Sequence, residues 1–282
     1  MKWVKAFYTV QFKKRGSIMN NINTKLLIGL LLSITARIGL AGNACEHTNI
    51  KPRLYLDASK KALEVQQQLN RLNPKVALIA RVGSDLKNYG LYYSHVGFVV
   101  KNYPGKKGKW TIVHLLNQCD VPKSSIYKQG LMNFFMDDLY TFDYQITIPT
   151  EAIQEKLYQA LFSHRIQSLH NSHYSMIAYP FSTKYQNSNQ WVLEVIAASI
   201  NPQSTYSRAV TQAYLRKTHY QPSIIKIDGF SKLGASLFSS HVRFDDHPLE
   251  ERRRNKISTV TVFSVVDYLR KQHSLKSNTS YK

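Results

Sequence analysis

Two histidines stand in runs that otherwise read as plain buried strand. YYSHVGFVV (Tyr92–Val100) is aromatic and β-branched around His95, and KWTIVHLLN (Lys109–Asn117) repeats the pattern around His114. Strand side chains alternate between faces, so His95, Gly97 and Val99 share one face, as do Trp110, Ile112 and His114. A hairpin folded symmetrically about Pro104-Gly105 pairs His95 with His114, Gly97 with Ile112 and Val99 with Trp110. Directly opposed residues have Cβ atoms about 4.5–5.5 Å apart. Two imidazoles so placed can divide the labour of a general base: one takes a proton while the other fixes its tautomer. The plain alternative is two structural histidines, each bonded to backbone. A metal site needs a third ligand, and none has a matching spacing. HNSHYS (His170, His173) and FDDHP (Asp245, Asp246, His247) are read as turn chemistry. No metal or cofactor is expected.

A base needs a group to deprotonate. In QNSNQWVLEVIAASI, Ser188 sits where an irregular segment enters an apolar helix. The helix start offers free N–H groups and a partial positive charge, both of which favour an oxyanion. Ser188 therefore has two readings, nucleophile or helix N-cap. Asn187, Asn189, Gln190 and Tyr93 complete the set of candidate oxyanion and binding residues.

The elements that must position these groups follow from periodicity. DASKKALEVQQQLNRLNP is a helix with Ala58, Ala62, Val65, Leu69 and Leu72 on one face, stopped by Asn73-Pro74. VALIARV (Val76–Val82) and FDYQITIP (Phe142–Pro149) are strands, and EAIQEKLYQALFSHRI is a helix. QWVLEVIAASI is apolar on nearly every side and must be buried. SSIYKQGLMNFFMDD reads as a loop. Beyond it come a helix near Arg208–Lys217, a strand in SIIKID, a short helix in FSKLGASLF and strands in HVRFDD and STVTV. A last helix starts at Ser264, where SVVD resembles a capping box. The expected fold is α+β, a mostly antiparallel sheet with packed helices. Residues 45–271 form the domain and 272–282 a polar tail.

The 282 residues carry a formal charge of +21, which favours anionic partners. The first 44 residues hold a basic flank, the apolar run LLIGLLLSI and small residues at Ala41 and Ala44, the layout of a signal peptide. Met19 opens the more ordinary leader. The apolar run is shorter than the roughly 20 residues of a membrane span. The leader holds seven basic residues and no acid, so its removal leaves the chain strongly basic. Export to the periplasm makes a nucleic-acid role unexpected and leaves no integral span after cleavage. Two cysteines, Cys45 and Cys119, in an exported chain most simply form one disulfide.

The order SHVGFVV, TIVHLLN, NSNQWV resembles the circularly permuted papain-like proteins, among them the lecithin:retinol acyltransferase-like and NlpC-type hydrolases. The resemblance covers roughly Val76–Ile200 and implies a permuted papain-like core with His95 as base and His114 as its orienter. It sets Ser188 where those proteins carry a nucleophilic Cys, and a hydroxyl gives up its proton far less readily than a thiol. RVGSDLKNYGLYYSHVGF, VHLLNQCD, QGLMNFF, YPFSTKYQNSNQWVLEVIAA and FDDHP resemble an uncharacterised bacterial group, the domain of unknown function 2145 family, over roughly Cys45–Leu269. Two functions follow as expectations. One is a periplasmic amide or ester hydrolase or acyltransferase acting on cell-wall peptides or lipid acyl groups. The other is a non-catalytic module that binds an anionic cell-wall or lipid ligand.

Overall fold

The computed structural model describes residues 52–104, 109–119, 121–137, 139–227 and 240–282. The leader, Cys45 and the helix expected in FSKLGASLF lie outside them. So does the partner expected for Cys119, which stands in the turn after the second His strand.

Helix α1 (Pro52–Leu72) turns Ala58, Ala62, Val65 and Leu69 inward, the spacing of a single helical face. Its end is set by Asn73, which takes φ 49° and donates its N–H to the Leu69 carbonyl ahead of Pro74. Leu72, expected on the buried face, is exposed, because the helix ends beside it. Strand β1 (Val76–Val82) is buried along its whole length. β2 (His95–Lys101) and β3 (Trp110–Asn117) follow, then β4 (Ser124–Gln129), the short helix α2 (Leu131–Phe135), β5 (Thr141–Pro149) and α3 (Glu151–Phe162). The chain continues through α4 (Ser188–Ile200), α5 (Arg208–Lys217), β6 (Ser223–Lys226), α6 (Leu249–Arg253), β7 (Lys256–Thr259), α7 (Val262–Lys271) and β8 (Leu275–Tyr281).

Six strands form one sheet in the order β4-β3-β2-β1-β5-β8, antiparallel at every pairing, and β6 and β7 form a separate antiparallel pair. The fold is α+β, as the sequence implies. One sheet face, carrying Leu78, Ala80, Val96, Phe98, Val113 and Leu115, packs against α3 and α4. The other, carrying Ala77, Ile79, Val99 and Ile112, packs against α1 and α2. Burial on both faces is why β1, β2 and β3 read as nearly continuous apolar runs.

Several expectations change. The segment read as a polar tail is strand β8, paired to β5, with Tyr281 stacked on Tyr144 at 4.7 Å and 9° between planes. The segment read as a loop holds β4 and α2. HVRFDD forms no strand, and β7 stops at Thr259. The last helix begins two residues early, because the capping box is built by Thr261 and Ser264, each side chain bonding the other's backbone.

Candidate functional site

The two His strands pair in a register different from the symmetric hairpin. Phe98 faces Val113, Val99 faces Ile112, Val100 faces Thr111 and Lys101 faces Trp110. The shift is two residues, so every side chain keeps its face. His114 lies opposite Gly97 instead of His95. The reason is room: a Cβ on Gly97 would stand 2.8 Å from His114 Cβ and 3.3 Å from both Ile112 Cγ2 and the Val113 carbonyl oxygen. Gly97→Ala is therefore expected to cost about 1–3 kcal/mol by overpacking, read as a lower urea midpoint; an unchanged midpoint would show that the strands part without strain.

From this diagonal position the rings meet. His95 Nε2 lies 2.9 Å from His114 Nδ1, and His114 Nε2 lies 3.1 Å from Gln129 Oε1 on β4. The chain of bonds fixes both tautomers. An amide oxygen only accepts, so His114 carries its proton on Nε2 and accepts at Nδ1. His95 must then donate from Nε2, which leaves the lone pair of a neutral His95 on Nδ1. His114 is fully buried, while His95 keeps 8% exposure and Ser188 7%. Burial, then the nearby Arg81 charge, pushes His95 well below the usual imidazole range and His114 down to about 4. Both rings are neutral at pH 7.

α2 closes over this pair. The Phe134 ring sits 6.0 Å from His95 and 5.5 Å from His114, with the Arg81 guanidinium 4.7 Å from its centre. Arg81 faces His95 across the β1–β2 ladder. It donates to the Phe134 carbonyl and forms an ion pair with Asp137. Arg81, Gln129, Phe134 and Asp137 were not singled out in the sequence, although an arginine inside VALIARV is as out of place as His95 in its own strand.

The start of α4 corrects one reading. The N-cap is Asn187, whose Oδ1 accepts from Gln190 N at 2.7 Å; Ser188 is the first helical residue and caps nothing. Asn187 Nδ2 is taken by the Met176 carbonyl, Thr259 Oγ1 and the Val260 carbonyl. The donors of Gln190 are likewise consumed, its N–H by Asn187 and its Nε2 by the Tyr179 and Pro180 carbonyls and Glu194, while its Oε1 is buried without a partner. The helix-initial donors without an intrahelical acceptor are the N–H groups of Ser188 and Asn189.

Asn189 joins this helix start to the His strand. Its Oδ1 accepts from Val96 N at 3.1 Å and its Nδ2 donates to the Ser94 carbonyl at 3.2 Å, one bond on each side of His95. Alternation along β2 (Lys101 N to the Lys75 carbonyl, Asn102 N to the Lys109 carbonyl) directs Val96 N–H toward β3. Asn189 therefore supplies a rung where the β2–β3 ladder has ended. Ser188 stands beside the hydroxyl of buried Tyr174, and no hydrogen bond joins it to His95. The imidazoles project with Val99 and Ile112, whereas α4 packs the opposite face, with Trp191 against Phe98 at 5.8 Å. Tyr93 donates to the Tyr144 carbonyl at 3.3 Å and packs edge-on against Tyr92.

The remaining polar motifs are structural. His173 Nδ1 bonds its neighbour Asn171, His170 Nε2 meets Ser124 Oγ at 3.2 Å, and His247 Nε2 donates to the Ile177 carbonyl at 2.8 Å. Asp246 accepts from Tyr179 N, and Asp245 pairs with Lys184. Among the described residues no group of three or more His, Cys, Asp or Glu is arranged to hold a metal, and no helix is long and apolar enough to cross a membrane.

Fold and site together define an α+β protein whose antiparallel sheet carries a buried imidazole–imidazole–amide chain beside a helix N-terminus. The model of the family described as an uncharacterized protein conserved in bacteria (DUF2145) matches residues 68–269, and the chain belongs to that family. No curated protein and no solved structure matches it.

Proposed function

We propose that this is an exported, periplasmic hydrolase or acyltransferase acting on an amide or ester, with a permuted papain-like core. The observation that carries the reading is the His95–His114–Gln129 chain, which leaves one basic nitrogen, His95 Nδ1, on a neutral ring. Ser188 is the nucleophile. For this the Ser188 hydroxyl has to reach round the end of β2, which begins at His95 and is tied to the helix start by Asn189, and it then gives up its proton to His95 Nδ1 as its oxygen attacks the carbonyl carbon. The Ser188 and Asn189 N–H groups receive the oxyanion. His95 then returns the proton to the leaving group. The basic flank and apolar run before Ala44 support export. The basic charge favours anionic cell-envelope substrates, a cell-wall peptide or a lipid.

One observation favours a second reading, a non-catalytic module that binds such a ligand: no hydrogen bond joins Ser188 to an imidazole, and α4 packs the sheet face opposite the two rings. A fluorophosphonate probe separates the two. The catalytic reading expects an adduct on Ser188 by mass spectrometry, absent in Ser188→Ala and lost in His95→Ala. An unlabelled, folded protein would leave the binding module.

A further inference from the structure

Arg81 occupies a place where an apolar side chain would be cheaper. It is 5% exposed in an otherwise apolar strand. If its task were only to pin α2, its two Nη groups would suffice, since they already hold the Phe134 carbonyl and Asp137. Its third donor, Nε, is buried and has no acceptor, a standing penalty in a folded protein.

The shape of the guanidinium gives that orphan a meaning. Nε–H and an Nη2 hydrogen line one edge, spaced to match the two oxygens of a carboxylate. Asp137 uses this edge by halves: Oδ2 takes Nη2 and Nε stays empty. The Asp137 side chain is 52% exposed, so its displacement opens the Nη2 side of the seat to solvent. Arg81 also stands directly across the ladder from His95.

We propose that Arg81 is the carboxylate-recognition residue of this site: an incoming carboxylate takes Nε and Nη2 together, displaces Asp137 and is held beside His95. The ligand class is a small organic carboxylate such as the free C-terminus of a peptide. The seat already holds a carboxylate, which favours that group over the larger tetrahedral phosphate. The inference deepens the proposed function by naming a substrate class. It rests on that reading only for what His95 does next, because the binding step needs no reactive serine.

The test follows the Arg81 Nε–H resonance of the purified protein during titration with N-acetyl-alanine and, separately, with N-acetyl-alaninamide. The acid is expected to shift the resonance to saturation and the amide to leave it in place. Asp137→Asn should tighten acid binding several-fold by removing the internal competitor. Arg81→Lys, which keeps the charge without the fork, should weaken it. Should that variant fail to fold, the wild-type and Asp137→Asn titrations decide alone. Equal shifts with the amide, an unchanged affinity in Asp137→Asn, or tighter binding of inorganic phosphate than of the acid would overturn the assignment. None of these outcomes bears on Ser188 labelling, so the two proposals fail separately.

Discussion

Glu194→Ala unfolds at a much lower urea concentration than the wild type, with a loss of about 3–5 kcal/mol. Glu194 is fully buried in α4 and accepts five hydrogen bonds. Oε2 receives Gln186 Nε2 at 2.6 Å and Arg208 Nε at 2.8 Å; Oε1 receives Gln212 Nε2 at 2.9 Å, Arg208 Nη2 at 3.1 Å and Gln190 Nε2 at 3.3 Å. Removing the carboxylate leaves the buried Arg208 cation without its counter-charge and takes one acceptor from each of three amides, Gln186, Gln190 and Gln212, which keep only backbone carbonyls. The residual bonds from Arg208 to the Thr183, Ser182 and Tyr185 carbonyls cannot replace a negative charge. Against a typical total of about 5–15 kcal/mol, the loss takes a large share. The double variant Glu194→Met, Arg208→Leu removes both charges and should recover part of it. A double variant no more stable than Glu194→Ala would mean that the amides, and not the uncompensated cation, carry the cost. The network also serves the site, since it ties the segment from Ser182 to Gln186, which delivers Ser188, to α4 and α5.

What the sequence reveals of this arrangement depends on how many faces of an element are buried. β1, β2 and α4 are covered all round, and their runs of apolar residues announce them. β4 and β8 are the two edges of the sheet. An edge strand has one neighbour and much solvent, so SSIYKQ and LKSNTSY carry too little apolar alternation to be told from loop and tail. The tie that holds β8, the Tyr144–Tyr281 stack, joins residues far apart in the chain and leaves no local pattern. The histidines were legible because each breaks an apolar run and because pleat parity decides the face. Their register was not, since a shift of two preserves parity and hairpin symmetry does not decide loop length. Gly97 held the clue: at this close pairing only a residue without a Cβ fits opposite His114. The helix cap was displaced by one residue because NSN offers three capping side chains in a row, and only the reach of Asn187 to Gln190 N selects among them. Arg81 shows the same signature as His95 and was legible by the same rule.

Acidification should unfold the protein over a window set by the buried imidazoles. An unfolded histidine binds its proton near pH 6.5, whereas the folded protein holds His114 neutral down to about 4. Between those values the unfolded state carries more protons, so stability rises with pH and falls as pH is lowered. The contribution is fully present above pH 6.5 and lost once the pH drops below about 4. The gap is worth about 3 kcal/mol for His114 at about 1.4 kcal/mol per unit. His95, pushed down by its own burial and by Arg81, adds in the same direction. His170, lowered by partial burial, adds a smaller share of the same sign. The groups facing the pair act unequally: Arg81 opposes protonation of both rings, while Asp137 and the Gln129 oxygen favour it at His114. Urea midpoints at pH 7, 5.5 and 4 measure the slope. His114→Gln lowers stability at pH 7 by lost packing, yet its profile should be flatter between pH 6.5 and 4, because one titrating group has gone. Parallel wild-type and variant profiles would mean that His114 is not held neutral in the fold. The relay that leaves His95 Nδ1 as the one basic nitrogen would then lose its footing.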